Sequence, residues 1–172
     1  CASPFAFDGS VLLPNRWRSI FEEQELQGDQ EAWGRQHVRP LFRKLDEPYP
    51  YVVCLVADGD RMGRAIDSLG STDAHRAFSK ALSGFAEKAR SIIEQQHRGA
   101  LVYAGGDDVL AFISLPEALA CADALRTAFE STMAEACALL PAAKRPTLSV
   151  GLGVGHVMEC MGDLLELGRQ AE

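Results

Sequence analysis

Nowhere in this chain of 172 residues does an apolar run approach the ~20 residues that a membrane-crossing helix needs. A helical span is therefore excluded, and a soluble domain is expected. Surplus positive charge is missing as well. The formal net charge is -7, and Lys and Arg occur only in short local groups, so nonspecific nucleic-acid binding by this chain alone is excluded, because phosphate contacts need clustered cations. Any RNA is expected to be held mainly by partners. Cysteines at disulfide or metal-ligand spacing are also lacking. The five present, Cys1, Cys54, Cys121, Cys137 and Cys160, are odd in number and lie apart in apolar surroundings, which fits free thiols in a reducing cytoplasm. Cys54, Cys121 and Cys137 read as small core residues. Cys1 is a candidate last ligand of a zinc site whose other ligands lie elsewhere. No basic leader precedes an apolar stretch and the first residue is not Met, so a piece of a larger protein is expected. Internal repeats and low-complexity tracts are absent.

What remains is a composition that is 47% hydrophobic, enough for one domain with a sizeable core. Residues 1–46 carry Pro4, Pro14, Pro40, Trp17 and Trp33 with weak apolar periodicity, and are expected to form a connector that packs on the domain made by residues 47–172. Pro48 and Pro50 lead into Tyr51-Val52-Val53-Cys54-Leu55-Val56-Ala57, an unbroken apolar run of the kind a central strand shows. A short helix is expected after Asp60, ending near Gly70, with Asp73 capping the next. That next helix is marked by Phe78, Leu82, Phe85, Ala89, Ile92 and Ile93 at three- and four-residue intervals, and Gly99 stops it. A hairpin follows. Pro116 opens a second helix with Leu119, Ala122, Leu125, Phe129 and Met133 as its stripe, which ends by Pro141. Leu148, Val150, Leu152 and Val154 then alternate with Ser149, Gly151 and Gly153, giving a strand with one face nearly bare of side chains. Residues 163–172 are helical in composition. This order predicts an α+β, ferredoxin-like βαββαβ domain, an antiparallel sheet with helices packed on one face and with the first strand and the hairpin at its centre.

The chemistry gathers at two strand ends. Asp58-Gly59-Asp60 follows the first apolar run, and Gly105-Gly106-Asp107-Asp108 forms the hairpin tip. If the two elements are neighbours, four carboxylates converge, and like charges at that separation repel unless a cation or a proton intervenes. Hard oxygen donors of this kind suit magnesium or manganese, whose coordination is completed by water and substrate phosphates. Two such ions sharing the acids would support phosphoryl or nucleotidyl transfer. Gly59 and the stretch Asp60-Arg61-Met62-Gly63 add backbone amides at a strand-to-helix turn, where a triphosphate can be bound. Either motif alone also makes an ordinary turn. Both together, each ending an apolar strand, point to a site.

Asp58-Gly59-Asp60-Arg61-Met62-Gly63, Gly105-Gly106-Asp107-Asp108, the strand Gly151-Leu152-Gly153-Val154-Gly155-His156 and the ending Arg169-Gln170-Ala171-Glu172 together resemble the polymerase/cyclase palm of the large subunit of type III CRISPR effector complexes, the subtype B form in particular. The resemblance covers about residues 50–172. It implies a palm that joins ATP molecules into cyclic oligoadenylates when the complex binds target RNA, with guide RNA, target RNA and the other subunits as partners. It further implies Asp58 and Asp107 as principal metal ligands, the Gly59 carbonyl as an extra ligand, and Asp60 and Asp108 supporting the second ion or the phosphates, with all four acids catalytic. Nucleotide contacts would come from Gly59, Asp60, Arg61, Met62, Gly63, Gly105 and Gly106, and from Ser79 near the base or ribose. This chain departs from the family after His156, where Val157-Met158-Glu159 stands in place of a basic residue and a Pro-Leu step. The family's Ala-Lys, a few residues after this Ala-Glu, falls outside the 172 residues. Two other readings stay open: a diguanylate-cyclase-like enzyme, to which Arg61-Met62-Gly63 and Asp108-Val109 fit less well, and a catalytically idle palm serving as an assembly scaffold. His156, at the end of the glycine-rich strand, is a candidate nucleotide contact and more often a packing residue.

Overall fold

The structure is a computed structural model that describes residues 12–42, 49–138 and 140–172; Cys1 and both ends of the expected connector lie outside them. Its backbone divides into two units, residues 1–50 and 51–172. The first contains α1 (Trp17–Glu23), α2 (Gln30–His37) and α3 (Arg39–Phe42), and Trp33 of α2 packs on α1. The Trp33 ring meets Trp17 and Phe21 edge-on at 6.3 and 5.7 Å and stacks on His37. Asp29 starts α2 by accepting the Glu31 and Ala32 amides.

The second unit runs β1 (Tyr51–Asp60), α4 (Met62–Asp67), α5 (Thr72–Ser91), β2 (Ala100–Gly105), β3 (Asp108–Ser114), α6 (Ala118–Met133), β4 (Thr147–His156) and α7 (Met161–Ala171). One antiparallel sheet has the order β2-β3-β1-β4, which is the expected split βαβ arrangement. The hairpin is not wholly central, however. β3 pairs with β1 and leaves β2 at an edge, because a tight turn places β2 on the side of β3 that β1 does not occupy.

Alternation along β1 sends Val53, Leu55 and Ala57 to one face, where they join Phe78, Phe85, Leu125 and Phe129 from α5 and α6. Phe85 and Phe129 meet edge-on with centroids 5.0 Å apart and are almost wholly buried. Phe129→Ala should therefore cost about 3–5 kcal/mol of stability, read as a lowered denaturation midpoint of the whole protein. In α6 the stripe is shifted from the expected one: Ala118, Cys121, Leu125, Phe129 and Met133 are buried, whereas Leu119 is 77% exposed. The cause is the helical period itself: at about 100° per residue Leu119 stands well round the helix from Leu125, whereas Ala118 and Cys121 stand on its face. Burial pushes the Cys121 thiol up to about 11, with the Glu117 charge adding to the effect, so this cysteine is an inert core residue. The cap of α5 is Ser71, whose Oγ accepts the Ala74 amide at 3.2 Å, and not Asp73, which falls in the first turn.

The opposite face of the sheet belongs to α7. Its own face of β4 is Gly151, Gly153 and Gly155, the nearly bare face of the sequence, and the helix backbone comes against it. A Cβ on Gly153 would collide with the Leu164 carbonyl and lie 2.7 Å from the Gly168 nitrogen. A Cβ on Gly168 would lie 2.8 Å from Val56 Cγ2. The two helices of the split βαβ unit thus share one face, and α7 covers the other over β1 and β4. No helix among the described residues is long and apolar enough to cross a membrane.

Candidate active site

The acids sit where β1, β3 and β4 end together. Ala57 pairs with Val109 and the ladder runs antiparallel, so the next register position sets Asp58 opposite Asp108. On the other side of β1, Asp58 pairs with Ser149 and Asp60 with Thr147. Side chains at i and i+2 share a face, and this row stands on the face that carries α7. Between β2 and β3 the two-residue turn Gly106-Asp107 has φ +70° at Gly106 and no positive φ at Asp107, the pattern of a type II′ hairpin that holds β3 in this register.

Asp58 and Asp108 face each other across the β1–β3 ladder, close enough for their carboxyls to interact. Partial burial, hydrogen bonding with Asp58 and the charges of Asp58 and Asp107 all push the Asp108 carboxyl above its ordinary range. Asp107 is raised chiefly by burial and also by the Asp58 charge, and its own amide and the Gly59 amide pull it partly back by donating to it. Its carboxylate is folded over Gly59: a Cβ there would lie 2.5 Å from Asp107 Oδ2 and 2.8 Å from Asp107 Cβ. Glycine at position 59 is thus what lets the hairpin tip close on β1.

Asp60 is tied to β4. Its Oδ2 accepts from Thr147 Oγ1 at 2.9 Å and from Ser149 Oγ at 2.8 Å. Arg61 Nη2 donates to Thr147 Oγ1 at 3.0 Å, so the Thr147 hydroxyl proton must point at Asp60. Arg61 itself has φ +62° and turns the chain from β1 into α4. Met62 packs against Gly59. Gly63 has open space where a Cβ would be, so packing does not demand glycine there. Ser79 lies on the exposed surface of α5 and lines no part of the acid cleft; its carbonyl accepts from Ser83.

A cleft of about 520 Å³ opens over the Asp58–Asp108 pair, with Tyr103, Leu165, Arg169 and Glu172 among its walls. Arg169 comes from the last turn of α7 and Glu172 is the residue that caps its end. Burial raises the Glu172 carboxyl, the charges of Asp58, Asp108 and Asp60 raise it further, and Arg169 lowers it. Nothing in the sequence singles out Tyr103, and Arg169 enters there only as part of the ending Arg169-Gln170-Ala171-Glu172, with no role assigned. Their place follows from a strand bulge and from the docking of α7. His156 lies far from the acids, opposite Tyr51 at the other end of the β1–β4 ladder. Its ring meets Tyr51 edge-on, and its Nδ1 accepts the Met158 amide, so it is a packing residue. Arg145, in the charged loop before β4, donates to the Leu140 and Ala138 carbonyls and closes the end of the α6 region.

Residues 51–172 match the sequence model of a family described as Cas10/Cmr2, second palm domain. The chain belongs to this family. It is 32% identical over 193 aligned positions to the CRISPR system Cmr subunit Cmr2 of Pyrococcus furiosus, an alignment that covers 94% of this chain and 22% of that protein. It thus spans about a fifth of its Cas10/Cmr2 relative. One chain of a crystal structure of the Csm1–Csm4 cassette in complex with cA4 supplies a structural likeness. The TM-score is 0.51 at 20% identity, covering 70% of this chain and 18% of the matched one, and at that identity it bears on the fold alone. Sheet order and family agree with the palm anticipated from the two acidic motifs.

Among the described residues, no set of three or more His, Cys, Asp or Glu donors is gathered around one point. The donor chemistry nonetheless fits a hard divalent cation. It consists of hard oxygens, with the Asp58 and Asp108 carboxyls side by side at a cleft, and magnesium is commonly held by one or two carboxylates with waters and substrate phosphates completing the shell.

Proposed function

We propose that this chain is the catalytic palm of a two-metal nucleotidyltransferase which, within a type III CRISPR effector complex, joins ATP into cyclic oligoadenylates when target RNA is bound. The observation that carries this reading is the Asp58–Asp108 pair, two carboxyls set opposite each other at an open cleft despite their like charge. A fold gains nothing from such a pair on its own, whereas a cation-dependent site does. Asp58 and Asp108, joined by Asp107 and the Gly59 carbonyl, are the groups that would hold magnesium or manganese. When bound, a pair of such ions lowers the pKa of an attacking hydroxyl and steadies the phosphate oxygens.

The chain's own part is to position and to exclude. Thr147, Ser149 and Arg61 fix Asp60 beside the pair, and the open space at Gly63 leaves the backbone approachable by phosphates. The reaction is attack of the 3′-hydroxyl of one ATP on the α-phosphorus of another: a new P–O bond forms, the bond to pyrophosphate breaks, and the hydroxyl proton passes to solvent or a nearby carboxylate. No side-chain nucleophile is needed. The net charge of -7 supports contact with guide and target RNA through neighbouring subunits.

The test uses the assembled complex with magnesium, target RNA and either ATP or GTP, with products identified by mass. Cyclic oligoadenylate from ATP is expected, and Asp107→Ala with Asp108→Ala should abolish it and leave assembly intact. A cyclic dinucleotide from GTP alone would instead favour a diguanylate-cyclase-like enzyme. Lost assembly with nucleotide chemistry unchanged would favour a scaffold.

A further inference from the structure

Simple alternation along β2 would send Tyr103 into the core. Leu101 packs against the core cluster, and residue 103 should share its face. Instead the register shifts, Leu101 pairing with Ala111 and Tyr103 with Leu110, which leaves Val102 as an extra residue. A bulge of this kind bends the strand and re-aims the side chain that follows. Ala104 returns to the core, and Tyr103 comes out on the acid face, 54% exposed, as a wall of the cleft above Asp58 and Asp108.

The ring is not loose there. It is draped over the hairpin backbone at Gly105, where an added Cβ would lie 2.5 Å from Tyr103 Cζ and 3.2 Å from Cε1. Gly105 therefore makes room for the hydroxyl end of the ring, and Tyr103 stays exposed at the cleft. Leaving an aromatic face and Val102 exposed on an edge strand disfavours the fold by itself. Across the cleft Arg169 is the one basic side chain among its described walls, and it makes no ion pair among the described residues. A guanidinium beside three acids and free of a fixed partner is suited to a polyanion that arrives with cations.

We propose that Tyr103 and Arg169 are substrate-binding residues, the Tyr103 ring packing on the nucleoside portion of a purine nucleoside triphosphate and Arg169 contacting its phosphates. This rests on the nucleotidyl-transfer reading above. An aromatic ring packs on any purine or ribose with little demand on hydrogen-bonding pattern, so the wall contributes affinity more than choice of base.

Calorimetric binding to the full-length protein, with manganese and an ATP analogue whose α,β-bridging oxygen is replaced by methylene, tests both residues. Tyr103→Leu should weaken binding about tenfold, within the range for loss of one base–aromatic contact, and Tyr103→Phe should recover most of it. Arg169→Gln should weaken the triphosphate analogue about tenfold, the loss of one charge-assisted phosphate contact, and adenosine monophosphate less. Arg169→Lys should recover part. Melting temperatures without nucleotide should stay at the wild-type value, because neither side chain is in the core. Unchanged affinity in the Leu or Gln variant overturns that residue's role. Failure of the wild-type protein to bind the analogue overturns the underlying nucleotide-site reading, so the two failures are distinct.

Discussion

Asp108→Asn should make the nucleotide-free and metal-free protein more stable at neutral pH and at the same time abolish turnover, by ~10³-fold or more if the carboxylate holds a catalytic ion. The two effects share one cause. Partial burial, the hydrogen bond with Asp58 and the charges of Asp58 and Asp107 raise the Asp108 carboxyl above its ordinary value of 3.8. A group that binds its proton more tightly folded than unfolded makes the native state the greater proton holder between the two pKa values. Stability then falls as pH rises through that window and stays lowered above it. Asp107 is raised in the same sense. Asn cannot ionise, so it removes the penalty where the penalty is fully present, and the advantage should vanish as pH falls below the ordinary carboxylate range.

Thermal denaturation of the full-length protein from pH 4 to pH 8, with and without manganese, reads this directly. Without metal, the variant should melt a few degrees above wild type at pH 8 and level with it at pH 4. With manganese, wild type should gain most at high pH, where its carboxylates are ionised, and the variant should gain less. A variant that melts below wild type at pH 8 without metal would remove the idea that the acids are held together at a cost to the fold.

Sequence patterning located the strands and the long helices because each carries a period that burial enforces: an unbroken apolar run for β1, a three-to-four repeat for α5, a two-residue alternation for β4. It located the acids because carboxylates and glycines beside apolar strand ends are uncommon in ordinary turns. Three things were not legible. The first turns of α6 were one: the small Ala118 and Cys121 take the core places there, and the larger Leu119 stands outside. The outward turn of Tyr103 depended on a bulge, and nothing in Ala-Leu-Val-Tyr-Ala-Gly marks Val102 as the extra residue. The third was the use of the bare face of β4. Alternating glycines announce that something comes close, but they do not say whether it is a ligand or a helix. Here it is α7, and Arg169 and Glu172 reach the acids only because that helix lies so near the sheet.

Gly153→Val should therefore remove nucleotide binding without touching a single side chain of the acid cleft. The added Cβ would run into the Leu164 carbonyl and the Gly168 nitrogen. These are backbone atoms, with no rotamer to move aside, so α7 must lift or tilt. Overpacking of this kind typically costs about 1–3 kcal/mol. The loss should stay local, because the core between the sheet and α5 and α6 lies on the other face and contains neither Leu164 nor Gly168. Hydrogen exchange on the full-length protein should show amides of residues 161–171 losing protection while those of β1, β3 and α5 keep theirs. Affinity for the methylene analogue of ATP should fall at least as far as in Arg169→Gln, since displacement of α7 withdraws Arg169 together with its wall. Gly63→Val is the control for bulk near the acids: a Cβ there meets nothing, so protection of α7 should be unchanged whatever happens to binding. If Gly153→Val instead bound nucleotide normally with α7 unprotected, the cleft would have to be formed by β1 and the hairpin alone, and the helix would be a cover for the sheet with no part in the site.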